Sequence, residues 1–281
     1  MYNPGGSIKD RPATKIITNA IKKGTINKNT IIIESSSGNM AIGLAQICSV
    51  YKLPLVCVVD PKITNSNLQI LKAYGAKIEM IKHPSDITNE YLHARIEKVQ
   101  ELLKIYPNSY WTNQYANKQN YLSHEITMKE ISQQLDKKID YLFCATSTCG
   151  TIRGCSNYIK KNKMSTKIIA IDANGSIIFG GKRSNRLIPG HGSSIRPNLY
   201  KKDMVNDVVY ISDKECVAGC KLLLKQESIF AGGSSGAVIV GIKKYMNKIQ
   251  PNKNVAIIFP DGGDRYLDTI YNEQWVKNNI H

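Results

Sequence analysis

The sequence predicts an α/β fold of two doubly wound parallel-sheet domains, and three observations carry that expectation. Short β-branched runs alternate with helical apolar spacing along nearly all 281 residues. The alternation falls into two series, separated near 136–139 by the polar stretch "LDKKID". A hydrophobic content of 42% is ordinary for a globular chain of this size, and no low-complexity segment or repeat interrupts it. The expected domains are therefore 1–138 and 139–281.

The elements follow in order. "PATKIITNAIKKG" (12–24) places Ile16, Ile17, Ala20 and Ile21 at helical spacing and stops at Gly24, a glycine suited to a helix C-terminus. "TIIIES" (30–35) reads as a strand and "NMAIGLAQICSVY" (39–51) as the helix behind it. "LVCVVD" (55–60), "SNLQILKAYG" (66–75) and "KIEMI" (77–81) repeat the pattern, and "EYLHARIEKVQELLKIY" (90–106) has the apolar face of a long helix. In the second series come "IDYLFCA" (139–145), a helix from about 152, "KIIAIDA" (167–173) and "DVVYIS" (207–212). Helices near 213–226 and 236–248 and the strand "NVAIIFPD" (254–261) complete it. Strands that alternate with helices form parallel sheets covered on both faces.

Composition narrows the function. The net charge is +16, but the basic residues are spread along the chain without interleaved aromatics, and no nucleic-acid-binding signature appears. The field suits anionic small molecules. No apolar run is long enough to cross a bilayer and no signal segment opens the chain, so a cytoplasmic protein is expected. The seven cysteines form no C-x-x-C pair and several lie in apolar runs, which reads as reduced, cytosolic and mostly buried. Cys216 and Cys220 lack a matching His or Cys pair, so no metal is expected.

In such folds the chemistry gathers on loops beyond the carboxyl ends of the strands. "PGGSIKDRP" (4–12) sets Lys9 on a glycine-loosened turn at or just before a helix N-terminus. The positive end of the helix dipole disfavours an ammonium there and favours the neutral amine that forms a Schiff base. "ESSSGNM" (34–40) offers hydroxyls and amides at a helix start, an anion site or, more simply, a cap. "ATSTCGTIRG" (145–154) carries Ser147, Thr148, Gly150 and Thr151 without the lysine of a nucleotide P-loop, which fits a small phosphate. "FAGGSSGAVI" (230–239) gives close backbone approach and one polar contact from Ser234 or Ser235, or else a tight turn. "PDGGDRYL" (260–267) adds a flexible polar loop. A phosphate, an aromatic ring wanting a polar contact and an aldehyde for a lysine together describe pyridoxal 5'-phosphate (PLP).

These loops carry a resemblance. Over essentially its whole length the chain resembles the cysteine synthase and cystathionine β-synthase family of PLP enzymes, fold type II, tryptophan synthase β-like. "NPGGSIKDR" is similar to the family's cofactor-lysine motif, which implies that Lys9 bonds the cofactor and, once released, takes the substrate α-proton. "SSGNM" is similar to the asparagine loop: Ser36, Ser37 and Gly38 would hold a substrate carboxylate, and Asn39 the cofactor's ring hydroxyl. "STCGT" stands where the family binds the cofactor phosphate, implicating Ser147, Thr148, Cys149, Gly150 and Thr151. "GGSSGA" implies Ser234 at the pyridine nitrogen, and "NQYAN" (113–117) implies Gln114 near the substrate. The resemblance also implies small amino-acid substrates and a homodimer.

Within the family, "DANGSIIFGGKRSNRLIPGHGSS" (172–194), "VVDPKIT" (58–64), "YLHARIEKVQELL" (91–103), "PDGGDRYLD" (260–268) and Ser147 resemble a narrower branch. That branch makes N-(2-amino-2-carboxyethyl)-L-glutamate from O-phosphoserine and glutamate, a precursor of diaminopropionate for siderophores. Arg95 is then a candidate carboxylate or phosphate contact, with an exposed helix charge as the alternative. A cysteine synthase using O-acetylserine or O-phosphoserine is the second expectation. A non-catalytic relative is the third, because the family has a few dozen more residues before its lysine, and because "SHEITMKEI" (123–131), Met40 and Cys149 depart from its usual residues.

Overall fold

The computed structural model describes residues 1–280; His281, the last residue of the expected second domain, lies outside the described residues. Two compact units form, one from residues 3–119 and the other from residues 1–2 with 120 onward.

The first unit holds α1 (Asp10–Lys22), β1 (Ile31–Ser35), α2 (Asn39–Tyr51), β2 (Leu55–Val59), α3 (Asn65–Ala73), β3 (Lys77–Met80), α4 (Tyr91–Ile105) and β4 (Ser109–Trp111). Its sheet has the order β3-β2-β1-β4 with every pairing parallel. Successive residues of β1 and β2 point to opposite faces, so one strand feeds two cores. Ile32, Cys57 and Val59 pack with Ile16 and Ile17 of α1 and Leu44 of α2. Ile33, Val56 and Val58 pack with Val99 and Leu102 of α4. Burial on both faces explains why these strands read as continuous apolar runs.

The second unit holds most of α5 (Lys118–Gln134), then β5 (Tyr141–Ala145), α6 (Gly150–Lys161), β6 (Lys167–Ala173), β7 (Asp207–Ile211), α7 (Asp213–Glu227), α8 (Gly233–Tyr245), β8 (Val255–Ile257) and α9 (Glu273–Asn279). Its sheet is also parallel, in the order β7-β6-β5-β8. Phe143, Ile169 and Ile171 form a core with Val217 and Cys220 of α7 and Ala237 and Val238 of α8. Helices α7 and α8 touch backbone to backbone: a Cβ on Gly219 would lie 2.1 Å from the Gly236 carbonyl oxygen. The final glycine of "GGSSGA" is therefore a helix-packing residue.

The expected division at 138/139 differs from the observed one at 119/120. "LDKKID" is a surface connection from α5 to β5, whereas the contacts of α5 run to α6: a Cβ on Gly154 would meet the Tyr121 carbonyl oxygen at 2.3 Å. The expected strand 254–261 is shorter, and α8 begins at Gly233 rather than 236. β4, α5 and α9 lie where no element was expected. All seven cysteines are buried free thiols, as expected. Among the described residues no helix is long and apolar enough to cross a membrane, and no cluster of His, Cys, Asp or Glu could hold a metal ion.

Candidate active site

Lys9 is the N-cap residue of α1, with right-handed helical backbone angles and a half-buried position. Its N–H donates to the Ser7 hydroxyl at 3.2 Å, and its carbonyl accepts from the Ala13 N–H at 3.1 Å. Gly43 of α2 lets this backbone come close, since a Cβ there would stand 3.1 Å from the Lys9 carbonyl oxygen. The acid next to it, Asp10, is buried in the first turn and accepts from the Gly5 N–H. A carboxylate at that end complements the helix dipole and closes the glycine turn.

The asparagine loop leaves β1 and enters α2 at Gly38, which caps the helix without a side-chain bond; Asn39 is the first helical residue. Ser36 is buried and accepts from the Gly38 N–H at 3.4 Å. Ser37 is held from three sides. Its hydroxyl oxygen accepts from Arg95 Nη1 at 3.1 Å and from the Asp60 N–H at 3.2 Å, while its carbonyl accepts from Asn67 Nδ2 at 3.1 Å. A hydroxyl has two acceptor sites and one hydrogen, so with both acceptor sites filled Ser37 is left as a donor. Arg95 is no exposed helix charge. Its side chain is 12% exposed and its Nε lies 3.2 Å from Asp60 Oδ2.

Gln114 is buried beside the same loop, its Nε2 donating to the Ser35 carbonyl at 3.5 Å. Next to this segment, near the end of β1, sits Glu34, a residue with no functional role expected from the sequence. Burial pushes its carboxyl up to about 7, against hydrogen bonds from Thr112, Gln114 and Ser35 and the field of Arg95. The structure thus brings Ser36, Ser37, Gly38, Arg95 and Gln114 into one constellation within the first unit.

In the second unit the expected phosphate loop runs from Ser147 to the start of α6. Cys149 is its N-cap, buried, in the left-handed region at φ 64°, and no side chain caps the helix. That conformation favours glycine, and it costs a β-carbon-bearing residue about 1–2 kcal/mol. Two of the loop's hydroxyls are oriented by α5. Asn120 Nδ2 donates to Thr148 Oγ1 at 3.3 Å, and Thr151 Oγ1 lies 3.3 Å from His124 Nε2. A threonine that accepts from Asn120 has its hydrogen left to give. Asn120 and His124 were missed in the sequence because the inward face of α5 is polar and carries no apolar period.

Ser234 and Ser235 occupy the first turn of α8 after Gly232, whose cap position also lacks a side-chain bond. Both are buried, and the Ser235 hydroxyl has no hydrogen-bond partner. The last loop is pinned rather than flexible: Gly232 N–H donates to the Asp261 carbonyl at 3.0 Å, and Ala231 bridges to Gly262. Its job is to brace the start of α8. Uncapped helix starts and donor-biased hydroxyls fit the phosphate contacts that PLP requires, and the buried Ser234 in the first turn of α8 is a hydroxyl of the kind a ring contact uses.

Two parallel α/β units with these loops define a PLP enzyme of fold type II. Residues 1–261 match the family described as "Pyridoxal-phosphate dependent enzyme", and the chain belongs to that family. Solved structures agree. An O-acetylserine dependent cystathionine β-synthase from Helicobacter pylori is 31% identical at a TM-score of 0.90, covering 96% of this chain and 88% of that one. An O-acetyl serine sulfhydrylase isoform 3 from Entamoeba histolytica is 31% identical at 0.88, covering 99% and 85%. A hydrogen sulfide-producing enzyme from Fusobacterium nucleatum is 31% identical at 0.87, covering 94% and 87%. The cofactor of the protein is PLP and its architecture is that of cysteine synthase-like enzymes.

Proposed function

We propose that the protein catalyses β-replacement on O-phosphoserine with glutamate as nucleophile, giving N-(2-amino-2-carboxyethyl)-L-glutamate, a precursor of diaminopropionate for siderophores. The observation that carries the reading is Ser37. Its hydroxyl is biased to donate, and the buried guanidinium of Arg95 stands 3.1 Å behind it, an arrangement suited to an anionic substrate.

In this reading Ser36, Ser37 and Gly38 bind the carboxylate of the amino acid, with Gln114 beside it and Arg95 as the cation that biases the loop toward anions. Ser147, Thr148, Cys149, Gly150 and Thr151 hold the cofactor phosphate, Ser234 the ring nitrogen and Asn39 the ring hydroxyl. Bound PLP supplies an electron sink for negative charge at the substrate α-carbon. Lys9 Nζ takes the α-proton and later returns it. The bond from Cβ to oxygen breaks and inorganic phosphate leaves. A bond from Cβ to the glutamate nitrogen forms, and that nitrogen releases a proton. Two protomers form the working homodimer.

A cysteine synthase using O-acetylserine or O-phosphoserine with sulfide is the second reading, favoured by the activities named for the solved relatives. The test begins with reduction of the PLP-loaded protein by borohydride and peptide mapping by mass spectrometry. Label on Lys9 is expected. Turnover of phosphoserine with glutamate, but not of acetylserine with sulfide, supports the first reading, and the reverse supports the second. A folded protein without label on Lys9 supports the non-catalytic relative.

A further inference from the structure

We infer that Glu34 is a positioning residue, the clip that holds the Gln114 segment in register with the carboxylate loop; the inference rests on the reading of those two loops given above. The parallel pairing of β1 with β4 ends at Ile33 and Trp111. Beyond that point β1 continues to Ser35 paired with β2 alone, before turning into Ser36–Gly38, while the other chain leaves the sheet into Thr112–Gln114. Glu34 stands at the parting, 1% exposed. Its Oε1 accepts from the Ser35 N–H at 2.8 Å, on the carboxylate-loop side. Its Oε2 accepts from the Gln114 N–H at 3.2 Å and from the Thr112 hydroxyl, on the other side.

A second feature points the same way. Asn113, between the two donors to Oε2, has φ 45° in the left-handed region. That turn aims the Thr112 hydroxyl and the Gln114 N–H at one oxygen, and such backbone is kept where the surroundings fix it. Three isoleucines precede Glu34 in the strand, and a fourth apolar residue would fill the core without the cost of burying a carboxyl. The charged or titratable groups facing it are Cys57 on β2, its register partner, and Arg95 on α4. Cys57 is a thiol raised by burial, so Arg95 is the charge that acts on it.

The test compares the holoenzyme with Glu34→Gln and Thr112→Val. Glutamine keeps the shape but leaves one acceptor oxygen for donors on both sides. Valine removes a single donor and leaves the carboxyl in place, so it stays informative where Glu34→Gln folds poorly. Hydrogen exchange of the 112–117 segment should quicken about tenfold in Glu34→Gln, the equivalent of ~1.4 kcal/mol, and less in Thr112→Val. KM for phosphoserine should rise by about the same factor with kcat nearly constant, because uniform substrate binding is what a displaced loop loses. Unchanged exchange at 112–117 in both variants overturns the inference. So does a fall in melting temperature with KM and kcat both intact. Where the wild-type protein turns over neither substrate pair, the functional reading fails by itself, and exchange alone decides the role of Glu34.

Discussion

Replacing Glu34 by glutamine should tilt the pH profile of stability relative to the wild-type protein. Two buried groups oppose one another. Burial pushes the Glu34 carboxyl from 4.5 up to about 7, so between those values the folded protein holds a proton that the unfolded chain releases. That contribution is present below pH 4.5 and is lost as pH rises through 7. His191 lies buried in the loop between β6 and β7, with neither ring nitrogen hydrogen-bonded, and burial, aided by Arg186, drives it from 6.5 down to about 3. Between pH 3 and 6.5 the unfolded chain therefore binds a proton that the folded protein refuses, and stability falls as pH drops. From pH 4.5 to 6.5 both act, with opposite signs and one proton each, so they cancel. Glu34→Gln removes one arm. Stability should then rise with pH by about 1.4 kcal/mol per unit, or about 3 kcal/mol across the window. His191→Leu should give the mirror image, a fall of the same size. The assay is the total free energy of urea unfolding at half-unit steps, each variant taken as a difference from wild type so that other carboxylates drop out. Three parallel curves would refute the reasoning.

Two further outcomes follow from packing and charge. Arg95→Met leaves Asp60, with its side chain 6% exposed, without its cation and should cost about 3–5 kcal/mol; in a double-mutant cycle with Asp60→Asn by urea unfolding, the double variant should lose clearly less than the sum of the singles. Gly154→Ala puts a Cβ 2.3 Å from the Tyr121 carbonyl oxygen, backbone that cannot step aside, and should cost about 1–3 kcal/mol in thermal unfolding, whereas Gly24→Ala, in open space at φ 67°, should cost about 1–2 kcal/mol through backbone strain alone.

What the sequence discloses depends on how far apart the partners of a residue lie along the chain. Strands such as Leu55–Val59, buried throughout, and helices with one apolar face, such as α4, announce themselves within a dozen residues. The candidate ligand loops do the same, because each sets hydroxyls and glycines side by side within a few residues. α5 was invisible for the opposite reason. Its buried residues include Asn120, Ser123, His124 and Thr127, so its inward face looks like a surface to any hydrophobic count. Three-residue β4 is too short to register, yet it is the strand beside which Glu34 works.

The supports of the site are legible in space alone. Arg95 meets Ser37 across 58 positions of sequence, Glu34 meets Gln114 across 80, and Asn120 meets Thr148 across 28. Each is a polar group spent on another polar group rather than on ligand, and each does the same work: it fills the acceptor side of a hydroxyl or fixes an amide, so that the remaining hydrogen has one direction to point. A motif names the atoms that touch a ligand, but their donor or acceptor sense comes from these distant partners. If the proposed reading holds, a relative that keeps "SSGN" and lacks the Arg95–Asp60 pair should keep the loop but bind anionic substrates less well. Grafting the pair back should lower KM for phosphoserine more than for acetylserine. An equal effect on both would mean that the pair merely stiffens the loop.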